Sequence, residues 1–487
     1  MKTVLIGCGG VGKCILEIIP KIKWFPKKLL DELIIIDPNI FKHSFHKKVI
    51  EELIEELKNK YSIKIKIIKK PITKNNLTTL LLPLLDSNTL VIDVSINIDG
   101  IEIIKLCQKQ NTFYINTSLE VWEIPEPEKL TTDISKLYKR TLHYQHYRLE
   151  QQNKQNKIKH TIICEFGMNP GIISVFVLLA LKSYAKSIKN YEAVKLIDRG
   201  NYAKAAYLLK LSVIHVAEQD TQEINRNFIN KTYKNFNWSE TFINTWSPSG
   251  YYEEGRDPIQ LGWNPKDKSN VKLYKPSDYQ RGAKDNIRFG RTRGYDMKLH
   301  SVVPNRNNGF TKIKGFAIPH GEASSLSERL TYKITGHEVY RPSVYYVYDS
   351  SPISKISIKR LKENNYKTPK YTHNLLLSDL KNGYDSVGAL LMFDNVAEPY
   401  YAGTILSTAD VKHMGFKYSS PTVVQVAISI LSAVKWMMDN QNKGLCYAED
   451  LPFEYIYKLC KPFLGKIYMG KIPVPMKKHT ITELIAK

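Results

Sequence analysis

Three glycines near the start of the chain, Gly7, Gly9 and Gly12, keep the spacing Gly-x-Gly-x-x-Gly, with Gly10 and Val11 between the last two, and they follow the apolar run Val4, Leu5, Ile6. Where a strand hands over to a helix, this spacing makes a phosphate cradle. The first glycine allows the tight turn, the second lets a pyrophosphate approach the backbone and the third lets helix and strand pack closely, while the helix N-terminus offers N–H donors to the anion. A second apolar run, residues 33–36, ends in Asp37, where an acid takes the hydroxyl pair of a ribose. The separation is longer than the ~20 residues usual for such a pair, and the surplus contains Trp24, Phe25 and Pro26. An acid at that strand end repels a 2′-phosphate, so the cofactor expected is NAD rather than NADP. Asp93, Ser95 and Asn97 after the fourth run and Thr117 after the fifth are candidates to complete the site. The bland alternative is a phosphate-free turn with Asp37 as a helix cap.

A second set of residues stands in polar or turn-rich contexts that core packing alone does not call for: Glu120 in NTSLEVW, Asn169 in GMNPG, Glu218 and Asp220 in HVAEQDTQ, Trp246 and Glu254 in TWSPSGYYEEG, His320 and Glu322 in HGEASS, and Asp385 in GYDSVG. They are mostly acids, with one aromatic and one imidazole. Each also has an ordinary reading: Asn169 before Pro170 as a helix cap, Asp385 as a turn residue, His320 as a satisfied loop histidine, Trp246 as core.

The elements that must position these groups follow from periodicity. Short β-branched runs at residues 3–6, 33–36, 63–68, 89–94, 112–115 and 160–164 alternate with helix-like pieces such as 48–60, where Val49, Ile50, Leu53, Ile54 and Leu57 repeat at helical spacing. Six strands with crossovers predict an α/β fold, a doubly wound parallel sheet of Rossmann type. From about residue 200 the chain turns aromatic-rich and turn-rich, which predicts a second, α+β domain on a largely antiparallel sheet. Residues 264–314, rich in Gly, Asn and Arg, read as a surface excursion of that domain. The expected division is a cofactor domain at 1–170, a substrate and dimerisation domain at 171–415 and a helical C-terminal segment at 416–487, whose apolar helix near 420–440 packs back on the first domain.

In order along the chain, GxGxxG, NPG, AEQDTQ at 218–222 with its flanks, NTWSxxGxxxEG at 244–255, LGW at 261–263, HGEA at 320–323 and RPSVYYVY at 341–348 resemble bacterial-type homospermidine synthases, in the saccharopine dehydrogenase-like group. The family's Glu-Arg-Asp stands here as Glu218-Gln219-Asp220. The resemblance implies an NAD-dependent aminobutyl transfer without net use of cofactor. Putrescine is oxidised to an imine with loss of ammonia, a second putrescine condenses with it, and the Schiff base is reduced to homospermidine. It implies that Trp246 holds a substrate ammonium on its ring face, that Glu254 guards the amine path and that Glu218 and His320 stand at the reacting centre. Asn169, Glu120, Glu322 and Asp385 match further site positions. A homodimer is implied as well, and spermidine as an alternative donor stays open. The chemistry agrees: two ammonium groups call for carboxylates and an aromatic face, cation–π attraction reaching ~2 kcal/mol when desolvated. An imidazole such as His320 can take the proton that must leave before hydride transfer.

The remaining composition sets limits. A formal charge of +24 arises from 71 Lys plus Arg against 47 Asp plus Glu, but only 13 of those 71 are Arg. The Lys are scattered, and a single modest cluster (Arg281, Arg288, Arg291, Arg293) falls short of a nucleic-acid footprint, so no nucleic acid is expected as partner. Six Cys without a CxxC pair point to a reducing cytoplasm, and no metal site is expected. No apolar stretch approaches the ~18 residues that span a bilayer; the longest, 171–181, reads as a buried helix. The rival of the same fold, a saccharopine or carboxynorspermidine type reductase, needs an Arg clamp for a carboxylate, and only Arg256 and Arg341 lie near the motifs.

Overall fold

Alternate residues of the first strands face two different cores, as expected of strands covered on both sides. Leu5, Leu33, Ile35, Ile92 and Ile115 belong to one apolar cluster, and Val4, Ile6, Ile34, Ile36 and Val91 to the other. The structure is a computed structural model and describes residues 1–41, 44–233, 236–245, 255–267, 271–278, 286–394, 396–476 and 480–486. Its first layer system comprises β1 (Lys2–Ile6), α1 (Gly10–Ile18), β2 (Glu32–Ile36), α2 (Ser44–Tyr61), β3 (Lys64–Ile68), β4 (Thr89–Asp93), α3 (Gly100–Lys109), β5 (Phe113–Asn116), α4 (Leu142–Gln155) and β6 (Ile162–Ile163). The sheet has seven parallel strands, the seventh being β15 (Leu445–Cys446), which arrives from the far end of the chain to pair with β6. β1 lies between β4 and β2, so strand order reverses there and leaves a crevice at the carboxyl ends. The long glycine-to-acid connection is filled by core, with Phe25 and Leu29 buried.

The second system begins with the apolar helix α5 (Ile172–Ser187) and is built on β7 (Leu211–Asp220), β8 (Pro258–Gly262), β9 (Ile287–Arg293), β10 (Lys298–Pro304), β11 (Phe310–Ala317), β12 (Ser343–Asp349), β13 (Tyr384–Phe393), β14 (Tyr400–Ser407) and β16 (Lys466–Lys471), with α6 (Gly321–Arg329) between β11 and β12. Its sheet of ten strands, counting the short Leu273–Tyr274, runs in the order Leu273–Tyr274, β9, β8, β12, β7, β13, β14, β16, and the β10–β11 hairpin joins it at β12. All of its pairings are antiparallel except β12 with β7.

Two expectations need correction. Residues 264–314 are no surface excursion, since β9, β10 and part of β11 lie within them and Ile287, Phe289, Val302 and Val303 are core. Nor is the C-terminal segment helical throughout, because it supplies one strand to each sheet. Its helix α7 (Pro421–Asp439) packs along α1. At 19 residues α7 is long and apolar enough to cross a membrane, contrary to the expectation for the whole chain, but 89% of its apolar window is buried inside the fold.

Candidate active site

The glycine loop occupies the crevice. Gly7 has φ +89°, and a Cβ there would stand 2.9 Å from the carbonyl oxygen of Val94; a Cβ on Gly12 would stand 2.3 Å from the oxygen of Gly7. Both positions therefore exclude any side chain. Helix α1 starts at Gly10 behind Gly9, with no capping side chain and no acid in its first turn, so the Gly10 and Val11 peptides present a positive helix end to the crevice. Asp37 reaches back over this turn, its two oxygens accepting from the N–H of Cys8 and of Asn39, each at 2.7 Å. A carboxylate has lone pairs beyond those two, enough for a ribose diol. The arrangement fits a dinucleotide held by Gly7, Gly9, Gly10, Val11, Gly12 and Asp37. Ser95 plays a different part: its hydroxyl donates to Asp93 at 2.6 Å, and Tyr114 donates to the same carboxylate at 2.9 Å. Burial pushes the Asp93 carboxyl up. Thr117 lies against Gly167, just before the NPG turn.

The carboxylates come together through strand register. Glu218 and Asp220 are two apart on β7 and share a face, and Asp385 on β13 stands directly opposite Asp220 in the antiparallel pair. Asn169, delivered by the turn after β6, donates to Glu218 Oε2 at 3.0 Å, and Tyr346 on β12 donates to the same oxygen at 2.7 Å. Asn169 is therefore no helix cap, a place taken by Gly171. Asp220 accepts from the Thr245 hydroxyl at 2.7 Å and from the Gln222 peptide and amide nitrogens at 2.8 and 3.0 Å. All three acids are at most 3% exposed. Burial raises Glu218 to about 7 and Asp220 to about 6. Asp385 is pushed well up, by burial first and then by the charges of Glu218 and Asp220. Its Oδ1 atom is buried and receives no N–H or hydroxyl donor among the described residues, while its carboxyl stands within hydrogen-bond reach of that of Glu218. Gln219 points to the other side of the sheet and donates to Asp349 at 3.1 Å, so the missing basic residue leaves the acid face intact.

His320 sits at the N-cap of α6, its Nδ1 bonded to Glu322, its peptide oxygen accepting from Gln260 at 2.8 Å and its ring 4.8 Å from that of Tyr346. Tyr346 thus links the imidazole to Glu218. Glu120 meets His320 from the other side across a cavity of about 150 Å³ between the two layer systems, also lined by Trp122, Arg140 and Arg256. Arg140 pairs with Asp257, and Arg256 donates to the Tyr366 oxygen at 3.1 Å. Trp246 and Glu254 lie outside the described residues.

One buried constellation therefore holds Asn169, Glu218, Asp220, Asp385 and, through Tyr346, His320 with Glu322, while Glu120 lines the adjoining cavity. Residue-level reading missed Tyr346, Thr245, Gln222 and Thr422, whose hydroxyl donates to Asp385 at 2.9 Å. Tyr346, Thr245 and Gln222 lay within quoted motifs, and strand alternation could have singled out Tyr346; Thr422 carries no signal before the strands are paired. Three acids of raised proton affinity, a carboxylate oxygen lacking a donor and an imidazole suit a cationic substrate and the movement of its protons.

Residues 3–163 match the saccharopine dehydrogenase NADP binding domain and residues 167–469 the saccharopine dehydrogenase C-terminal domain. The chain is 25% identical to the homospermidine synthase of Mesorhizobium japonicum over 470 residues, 96% of this chain and 89% of that one. It is also 25% identical to the homospermidine synthase of Blastochloris viridis over 482 residues, 95% of this chain and 90% of its relative. Among solved structures, that of the Legionella pneumophila homospermidine synthase in complex with NAD superposes with a TM-score of 0.78 at 24% identity, covering 100% of this chain and 98% of the other, and so shares the fold.

Proposed function

The chain belongs to the saccharopine dehydrogenase family, and from that premise we propose that it is a homospermidine synthase that joins two putrescines with release of ammonia. The observation that carries this reading is the buried carboxylate group Glu218, Asp220 and Asp385, with the Asp385 Oδ1 atom awaiting a donor. An alkylammonium supplies that donor and the charge that makes ionised acids tolerable in a dry site. The two relatives named for the same activity support it at nearly full length.

The nucleotide we assign is NAD, held by the glycine loop, with Asp37 at its ribose; when bound it supplies the hydride acceptor and returns the hydride. The protein's own groups do the rest. Glu218, oriented by Asn169 and Tyr346, stands with His320 at the reacting centre, and Asp385 holds an ammonium of the substrate. His320, kept in one ring orientation by Glu322, accepts the proton that the reacting amine must lose and returns it as ammonia leaves. Glu120, and Trp246 and Glu254 by the family resemblance, receive the outer ammonium. Arg140 is already paired to Asp257, which weakens the case for a carboxylate clamp and an amino-acid substrate. The same proposal includes a homodimer, a cytoplasmic setting, Ser95 and Thr117 beside the cofactor, and the division of the chain at residues 170 and 415.

The test is turnover with putrescine and substoichiometric NAD, with products read by mass spectrometry. Homospermidine accumulating beyond the NAD added is the expected result. Net NADH without homospermidine would replace the synthase by a dehydrogenase, and spermidine offered alone tests the alternative donor.

A further inference from the structure

One short segment, residues 415–422, runs from the glycine-loop helix to the carboxylates, and it is tied at both ends by buried polar groups. On α1, Glu17 is 2% exposed, and its carboxylate accepts from the peptide N–H of Lys417, of Tyr418 at 3.2 Å and of Ser419 at 3.0 Å, and from the Ser419 hydroxyl at 2.5 Å. One turn further, Lys21 donates to the Gly415 oxygen at 2.8 Å. At the other end the segment meets the acids directly. Ser420 donates to the Thr245 oxygen at 3.2 Å, and Thr245 donates to Asp220. The Thr422 hydroxyl donates to Asp385 Oδ2 at 2.9 Å and accepts at 3.0 Å from the Gln222 amide, which also donates to Asp220.

A threonine hydroxyl has one proton to give. With that proton given to Asp385 Oδ2 and the Gln222 amide filling an acceptor position, Asp385 is held by its Oδ2 atom. Glu17 touches neither acid, yet four bonds to three consecutive residues fix where α7 begins, one residue before Thr422. Charged acceptors make the stronger hydrogen bonds, so this clamp is stiff.

We propose that Thr422 and Glu17 are positioning residues of the amine site: Thr422 orients Asp385 and Asp220, and Glu17, by clamping residues 417–419 to the glycine-loop helix, places Thr422. The inference rests on the amine reading of the acid cluster. It makes the distance between cofactor helix and amine site a property of one strap, so the reacting carbon stays in register with the hydride acceptor whichever amine is bound.

The test uses the full-length protein loaded with NAD, with putrescine binding followed by calorimetry, turnover by mass spectrometry and folding by thermal melting. Thr422→Val, equal in shape but lacking the hydroxyl, is expected to weaken putrescine binding about tenfold, with NAD affinity unchanged, and Thr422→Ser to restore it. Glu17→Gln should weaken putrescine binding by a similar factor although it does not touch the site, and the double variant should be little worse than either single one. Should Glu17→Gln not fold, Ser419→Ala removes only one of the four bonds and is expected to show a smaller loss of the same kind. Wild-type putrescine affinity in Thr422→Val, or losses that multiply in the double variant, would overturn the proposal. A wild-type protein that binds no putrescine would overturn the amine reading itself, and this inference with it.

Discussion

The glycine loop and the carboxylate cluster are built in opposite ways. The loop is backbone: Gly7 to Gly12 are consecutive in sequence, and their work is done by absent side chains and by peptide N–H groups. The cluster is side chain, gathered from the turn after β6, from β7, β12 and β13 and from the start of α7, positions more than 250 residues apart at the extremes, Asn169 and Thr422. A backbone site needs only the right local conformation. A side-chain site needs the whole second sheet in register, and it carries a desolvation cost that the loop does not, visible in the raised proton affinities of Glu218, Asp220 and Asp385.

The sharpest break in that contrast is Glu218→Gln, which keeps shape and removes charge. Losing one partner of a buried ion pair costs about 3–5 kcal/mol, so kcat/KM for putrescine should fall roughly 10²–10⁴-fold at pH 9, with NAD affinity near that of the wild type by fluorescence titration. Equal loss of both would mean that the glycine loop and the acid cluster are not separable. The variant also has a pH signature. Burial raises Glu218 from 4.5 to about 7 and Asp220 from 3.8 to about 6 in the folded protein. An acid bound more tightly to its proton in the fold stabilises it fully below the unfolded value, and that contribution is lost as pH rises through the folded value. The melting temperature without amine should therefore decline from about pH 4 to about pH 7, less steeply in Glu218→Gln, while putrescine protection grows over the upper part of the same range.

The contrast also explains what could be read before folding. The parallel sheet was legible because its strands are apolar on both faces and the glycine spacing is local. The acids Glu218 and Asp220 stood out as polar residues in an apolar run, and Asp385 likewise, but their adjacency depends on Asp385 pairing with Asp220 across β13 and β7, which composition does not encode. Residues 264–314 misled because Arg and Lys are interspersed with the inward apolar residues of β9 and β10 and break up the apolar alternation. Glu17 was invisible for a related reason: in a helix that reads as cofactor scaffold, an acid looks solvent-facing until residues 417–419 close over it.

On the cofactor side, Gly12→Ala is the matching break, with an intermediate effect. The new Cβ would lie 2.3 Å from the Gly7 oxygen, and that atom is backbone with nowhere to move. Overpacking of about 3 kcal/mol corresponds to roughly 100-fold weaker NAD binding. Putrescine binding to the NAD-free protein should be spared. If calorimetry shows both ligands weakened alike, the loop supports the acid cluster as well as the nucleotide.

The smallest expected effect concerns cofactor choice, and it asks whether the cofactor side is backbone alone. Asp37 contributes a negative charge at the ribose end of the glycine loop, and its oxygens also cap the Cys8 and Asn39 peptides. Asp37→Asn keeps an acceptor for one of those peptides and removes the charge that opposes a 2′-phosphate. A charge pair a few ångströms apart near a protein surface is worth a few kcal/mol before salt screening and rather less after it, so preference for NAD over NADP should narrow by about tenfold. The narrowing should shrink as salt is added, because it is electrostatic. An unchanged preference would place discrimination in the shape of the ribose pocket, and the cofactor side would then be backbone geometry throughout.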